Sequence, residues 1–282
     1  MEWQTSQIGI IGAGHLGLAL AKRLLACGFD ADRLLISHRG DAGTRDRLKL
    51  AGLENRITTN PELAQKSDLV ILAMKPSDMN SLSKLVFNKN AMIVSAVAGL
   101  GTGYLTRYLQ HDVIRIMPSS PLTIEAGTAV AAVFPTASQV IDFLACLNFR
   151  IYRMPAEEIF HLFTATVCLA AAFLYLRLQQ RTYDETEIVN RFRNEYDRFP
   201  EIYEWVKRDT PVLLETAEID AYLRRMTTKG GITERILESL QNGDSLLTAL
   251  EAGINRNREI AASFAQSLPR DSRKAVAEGM TL

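Results

Sequence analysis

Cysteine, histidine and net charge are all scarce in this chain: its 282 residues include three Cys and four His. Cys27, Cys146 and Cys168 stand far apart and are odd in number. That spacing speaks against both a disulfide scaffold and a paired-thiol zinc site, and no metal is expected. Buried thiols in a reducing cytosol fit better. The 32 Lys and Arg balance 32 Asp and Glu. Zero net charge gives no long-range pull on a polyanion, and no basic run supplies a local one, so nucleic acid and acidic lipid are not expected partners. The longest uninterrupted apolar run, Val167 to Leu176, falls short of the roughly 20 residues that cross a bilayer. Met-Glu-Trp-Gln at the start has no basic n-region. A soluble cytoplasmic protein without a membrane partner is expected.

What is present is ample material for a core, since 47% of positions are apolar. At roughly 100–200 residues per domain the length fits two domains, and disorder is excluded. No internal repeat or low-complexity segment interrupts the chain. In the first half short apolar runs alternate with helical spacing. Gln7-Ile8-Gly9-Ile10-Ile11 ends at a glycine turn, after which Leu16, Leu18, Leu20, Leu24 and Leu25 recur at helical spacing. Further runs follow at Leu34-Leu35-Ile36, Asp68 to Leu72, Ala91 to Val94 and Val113 to Ile116. Near-continuous apolar strands separated by helices predict a parallel sheet covered on both faces. Thr128 to Phe134 and Phe149 to Arg153, flanking a helix from Ala137 to Leu147, extend it at an edge. Past Met154-Pro155 strand signals vanish and apolar residues return every three or four positions, which predicts helices only. Pro200, Pro211, Gly230-Gly231 and Gly243 mark breaks. Leu246, Leu247, Leu250, Ile254, Ile260, Ala261 and Phe264 form an apolar stripe that calls for a partner surface.

The turn Gly12-Ala13-Gly14-His15-Leu16-Gly17 matches G-x-G-x-x-G, between a strand and a helix at the start of the chain. Gly12 permits the tight turn, Gly14 lets a pyrophosphate approach the backbone, and Gly17 lets the helix pack on the strand. Amides at the helix start then bind phosphate oxygens. The expected architecture is an α/β Rossmann-like dinucleotide-binding domain over 1–154, followed by an all-α dimerisation and substrate domain over 155–282. NAD sites place a carboxylate at the end of the second strand, for the ribose 2′-hydroxyl. Here that position reads Ser37-His38-Arg39. A hydroxyl and a guanidinium suit a 2′-phosphate, so NADP(H) is expected over NAD(H). Arg39 as a plain loop residue, with Asp41 nearby, is the alternative. His15 sits where a side chain can touch the phosphates.

Several segments together resemble pyrroline-5-carboxylate reductase, a family that reduces a cyclic imine to proline with NAD(P)H. The glycine turn, Ala73-Met74-Lys75-Pro76, Ser95-Ala96-Val97-Ala98-Gly99, Arg115-Ile116-Met117-Pro118-Ser119-Ser120-Pro121 and Thr227-Thr228-Lys229-Gly230-Gly231-Ile232-Thr233 are similar to the family's motifs. The resemblance implies that Ala73 to Pro76 and Ala98 help hold the cofactor. It further implies that Thr166, Gly230, Gly231 and Thr233 face the substrate, that Thr233 donates to the imine nitrogen, and that the protein is a homodimer or higher homo-oligomer. Proton donation is what C=N reduction requires beside the hydride. Thr233 as an ordinary helix-start residue is the alternative.

One segment departs from the family. Where the family has Leu-Ser-Gly-Ser-Gly-Pro-Ala-Tyr, this chain reads Thr166-Val167-Cys168-Leu169-Ala170-Ala171-Ala172-Phe173. No glycine or proline breaks the helix there, so Val167 to Ala172 is expected to be continuous, with its amides unavailable to a substrate carboxylate. The charged stretch 179–225 is expected to be a solvated face. Three functions remain open: an NADP-dependent reductase of an altered C=N or C=O substrate, a genuine pyrroline-5-carboxylate reductase of proline biosynthesis, and a non-catalytic dinucleotide-binding regulator.

Overall fold

The structure, a computed structural model, describes residues 3–40 and 42–267. Two compact units emerge, the first comprising the chain up to Pro155 and again from Phe264, the second Ala156–Ser263, which holds the last helix, Leu246–Ser267, as far as Ser263. The first holds a seven-stranded sheet: β1 (Ile8–Ile11), β2 (Leu34–Ser37), β3 (Leu69–Leu72), β4 (Met92–Ser95), β5 (Val113–Pro118), β6 (Val130–Phe134) and β7 (Arg150–Arg153). The order is β2-β1-β3-β4-β5-β6-β7, with β1 to β5 parallel. Its helices are α1 (His15–Ala26), α2 (Ala42–Leu50), α3 (Asn60–Lys66), α4 (Thr102–Leu109), α5 (Pro121–Ala126) and α6 (Ser138–Cys146).

Every residue of β1 and β3 is buried. The pleat divides them between two cores: Ile8, Ile10, Leu69 and Ile71 join one apolar cluster, Ile11, Val70 and Leu72 the other. That is the double coverage expected of central parallel strands. The edge strand β7 instead exposes Arg150 and Arg153, charges that discourage further pairing. The parallel expectation fails at one place, because β6 runs antiparallel to β5. The connection holds only the short α5, which ends at Gly127 with φ 74°. A return this short does not cross over to a parallel neighbour.

The second unit carries α7 (Ile159–Val167), α8 (Leu169–Leu178), α9 (Glu185–Arg193), α10 (Phe199–Asp209), α11 (Thr216–Met226), α12 (Ile232–Gln241) and α13 (Leu246–Ser267). The stretch Ile159–Leu178 is long and apolar enough to span a bilayer by composition, more than its uninterrupted run implies. Here most of it is buried: α10 packs on α7, and α11 and α12 pack on α8. The charged stretch faces outward as expected. Ile188, Phe192, Phe199, Ile202 and Val206 are buried, whereas Lys207 pairs with Glu185 at 2.6 Å and Arg198 with Glu201 at 2.8 Å on the surface. The stripe on α13 needs less of a partner than its periodicity implies, because Leu246, Leu250 and Ile254 are already buried in the chain. Phe264 lies outside the described side chains.

The expected continuous helix is broken at Cys168. Its amide bonds to the Ala165 carbonyl, three residues back, at 3.1 Å. The cause is local. Thr164 Oγ1 donates to the Phe160 carbonyl at 2.6 Å and Thr166 Oγ1 to the Leu162 carbonyl at 2.7 Å, and such back-bonding competes with the amide ladder and bends helices. Leu169 thus becomes the first residue of α8.

Two glycine substitutions separate packing from ligand approach. A Cβ on Gly17 would lie 2.0 Å from the Gly12 carbonyl oxygen, whereas one on Gly14 would meet nothing within 4 Å. Gly17→Ala is expected to cost about 1–3 kcal/mol or prevent folding. Gly14→Ala should stay within about 0.5 kcal/mol of the parent. Urea unfolding of the two variants measures the contrast.

Candidate functional site

The carboxyl ends of β1, β2, β3 and β4 bring four expected segments to one sheet edge: Gly12 to Gly17, Ser37 to Arg39, Ala73 to Pro76, and Ala98. Neighbours β2 and β3 flank β1, so the order reverses there, and open α/β sheets bind ligands at such switch points. Gly12 has φ 102°, and a Cβ on it would lie 2.9 Å from the backbone of Ala73 and Met74. It thereby holds the glycine turn against the exit of β3. The Gly12 amide is bonded to the Ser37 carbonyl at 3.0 Å, which ties the same turn to β2. Gly14 is the exposed N-cap of α1, without a side chain to satisfy the first amides. The first intrahelical bond runs from Leu18 to the Gly14 carbonyl at 3.0 Å. The amides of His15, Leu16 and Gly17 are therefore available above an open Cα, the arrangement a pyrophosphate requires. These residues fit a dinucleotide.

The other expected cofactor contacts are unequal. His15, Lys75 and Ala98 are exposed, Leu16, Met74 and Pro76 half-buried, and Ala73 buried. Arg39 presents a side chain that is 71% exposed and bonds Asp78 Oδ1 through Nη1 at 2.7 Å. Ser37 is enclosed, at 1% exposure, and its Oγ has no hydrogen-bond partner in the protein. Of the two residues expected to meet a 2′-phosphate, only Arg39 reaches solvent. Asp41 lies outside the described residues. Ser119 and Ser120, in the Arg115 to Pro121 segment, are occupied structurally. Ser120 caps α5 by accepting the Thr123 amide at 3.3 Å, and Ser119 Oγ accepts the Val130 amide at 3.1 Å.

In the helical unit, Gly230 and Gly231 form a tight turn into α12. Gly230 has φ 71°, and a Cβ on Gly231 would lie 2.3 Å from Thr228 Oγ1. The Gly230 amide donates to Glu234 Oε2 at 2.5 Å and its carbonyl accepts from Arg256 Nε at 2.8 Å. This turn sets Thr233 as the second residue of α12, at 8% exposure. Its hydroxyl is hydrogen-bonded to Cys168, at the break between α7 and α8. Tyr222 on α11 lies within electrostatic reach of the same thiol; burial raises its phenol pKa and Arg225 partly offsets this. Thr233, Cys168 and Tyr222 therefore form a small polar group, buried at Thr233 and half-buried at Cys168 and Tyr222. Thr166 does not join it. It is fully buried and its hydroxyl is committed to the Leu162 carbonyl, so its side chain offers a substrate no donor, a correction to the expected role. Neither Cys168 nor Tyr222 is marked by a sequence motif; contact with Thr233 or with the thiol is the signal. Among the described residues no group of His, Cys, Asp and Glu has the geometry of a metal site.

A family model described as NADP oxidoreductase, coenzyme F420-dependent, matches residues 7–99. Pyrroline-5-carboxylate reductase of Escherichia coli (strain K12) is 26% identical over 276 residues, covering 91% of this chain and 99% of that protein. The Bacillus subtilis (strain 168) pyrroline-5-carboxylate reductase 2 is 24% identical over 274 residues, 92% of this chain and 96% of that protein. Among solved structures, 1-pyrroline-5-carboxylate reductase from Streptococcus pyogenes aligns with a TM-score of 0.57 at 21% identity, covering 92% of this chain and 98% of that one. The Plasmodium falciparum pyrroline carboxylate reductase, solved with NADP bound, aligns at 0.56 and 17% identity over 92% and 99%. At such identities the structural likeness concerns the fold. The fold and the glycine turn define the class, a dinucleotide-binding oxidoreductase fold with a helical second unit. Over nearly their whole length these relatives make the chain similar to pyrroline-5-carboxylate reductases, at 24–26% identity.

The three thiols should differ in reactivity. Cys27 and Cys146 are exposed, while burial raises the Cys168 pKa above the ordinary thiol value and the Thr233 hydrogen bond only partly offsets it. A raised pKa leaves less thiolate at neutral pH, so Cys168 alkylation should lag and accelerate only at higher pH. Peptide mass spectrometry after iodoacetamide pulses at several pH values checks this order.

Proposed function

We propose that this chain is an NADP(H)-dependent reductase of a C=N bond, with Thr233 as the residue that donates to the imine nitrogen. The observation that carries the reading is the glycine turn: Gly14 leaves open space where Gly12 and Gly17 are sterically fixed, which supports approach of a phosphate to the backbone there. Arg39, exposed at the β2 exit where NAD sites keep a carboxylate, supports NADP(H) over NAD(H). Bound NADPH supplies the hydride. Thr233 holds a hydroxyl in an apolar surround, where a hydrogen bond to a nitrogen gaining electron density is stronger than in water. Cys168, bonded to that hydroxyl, restricts its orientation. Homodimeric assembly is part of the same reading. Val212 and Leu214, 81% and 87% exposed, are apolar groups that a second copy would cover.

A second reading, pyrroline-5-carboxylate reduction proper, is favoured by the break at Cys168. There α8 starts anew at Leu169, although the glycines and proline of the family segment are missing. The serine hydroxyls of the family segment are still absent. Losing two charge-assisted hydrogen bonds of about 1.5–3 kcal/mol each weakens recognition by roughly two to four orders of magnitude. The altered-substrate reading therefore stands first.

Cofactor oxidation with pyrroline-5-carboxylate and with cyclic imines lacking the carboxylate tests the pair. Higher kcat/KM on the uncharged imines is expected; an ordinary efficiency on pyrroline-5-carboxylate would promote the second reading. Thr233→Ala should lower kcat by about a hundredfold, with Thr233→Ser retaining most of it. Equal rates for all three proteins would remove Thr233 from the chemistry.

A further inference from the structure

Asp78 lies in the short 3-10 helix that follows β3, Pro76–Leu82. Its Oδ1 accepts from Arg39 Nη1 at 2.7 Å and from Ser77 Oγ at 3.3 Å, and its amide donates to the Lys75 carbonyl at 2.9 Å. The two side chains of the ion pair are unlike in freedom: that of Asp78 is 13% exposed, that of Arg39 71%. An enclosed carboxylate stays where it is when an anion arrives, whereas an exposed guanidinium swings to meet it. In the strand order β2-β1-β3, the pair joins the exits of the two strands that flank the one ending in the glycine turn. A fixed negative charge thus stands beside the cation that is to receive a 2′-phosphate.

We propose that Asp78 is a specificity-determining residue for the nucleotide: its carboxylate holds Arg39 at the β2 exit and opposes a ribose 2′-phosphate, so discrimination in favour of NADP(H) is weaker than Arg39 alone would give. This rests on the reading of Ser37-His38-Arg39 as the 2′-phosphate edge. A guanidinium has five donors, and one bond from Nη1 leaves others for the phosphate. The 2′-phosphate carries up to about two negative charges at neutral pH and is repelled by the Asp78 carboxylate, less the part that its pairing with Arg39 offsets. A ribose diol carries none, and a carboxylate at this end of the site is what NAD(H) binding ordinarily uses. Asp78 thereby penalises one nucleotide and not the other.

Asp78→Asn keeps an oxygen acceptor for Arg39 and removes only the charge. Calorimetric titration of the parent, Asp78→Asn and Arg39→Gln with NADPH and with NADH, at low and high salt, reads the effect as a ratio of dissociation constants. Asp78→Asn should raise the preference for NADPH about threefold or more at low salt, with the gain shrinking as salt screens the charge. Arg39→Gln should erase the preference. If Arg39→Gln erases it while Asp78→Asn leaves it unchanged or lowers it, the 2′-phosphate edge stands and the role of Asp78 is overturned. If Arg39→Gln changes nothing, the edge itself fails and Asp78 fails with it. Asp78→Ser, which also removes the charge, replaces the Asn variant should unfolding curves show that one to be misfolded.

Discussion

The close approach of Gly17 to the carbonyl of Gly12 is the contact on which the nucleotide-binding unit depends. It presses the first turn of α1 onto the end of β1 so tightly that a methyl group does not fit. The amides of His15, Leu16 and Gly17 then fall above the open Cα of Gly14. The same turn is clamped on its two other sides, by the Gly12 amide on the Ser37 carbonyl and by the backbone of Ala73 and Met74. Three strand exits are thereby held in register around one anion-binding surface. Apolar burial of β1 and β3 on both faces supplies the rigidity this needs.

The helical unit solves a different problem, how to keep a few polar groups in an apolar interior. Thr164 and Thr166 use their hydroxyls on carbonyls of their own helix, and this local bonding breaks the chain at Cys168. The thiol at the break reaches Thr233, which the Gly230-Gly231 turn sets at the start of α12. A cysteine thus stands beside Thr233 in a segment where the family motif has serines and glycines. Buried polar groups that are mutually bonded are tolerated in such surroundings, and those left alone are costly.

Strands β1 to β5 and the helices between them are legible in the sequence because each is a short apolar run bounded by turn residues, a signal carried entirely by neighbours in the chain. The glycine turn is legible for the same reason. The antiparallel direction of β6 is not, since a strand's own pattern does not record which way its partner runs. The break at Cys168 carries no glycine or proline; it arises from hydroxyls of Thr164 and Thr166, which the eye passes over as helix interior. The stripe from Leu246 onward was legible as apolar but not as already covered, because burial of Leu250 and Ile254 depends on helices distant in sequence. Asp78 escapes for a related reason. It stands 39 residues from Arg39, and only the sheet order brings the two together.

The central claim is that this chain uses a bound nicotinamide to reduce a C=N bond. Incubation with NADPH deuterated at the transferable position of the nicotinamide, together with a panel of cyclic imines, tests it most directly through the mass of the amine product. The account predicts one deuterium per product molecule, formed only when the protein is present and about a hundredfold more slowly with Thr233→Ala. Tight NADPH binding with no label in any amine would contradict the claim and leave a nucleotide-binding protein without this chemistry.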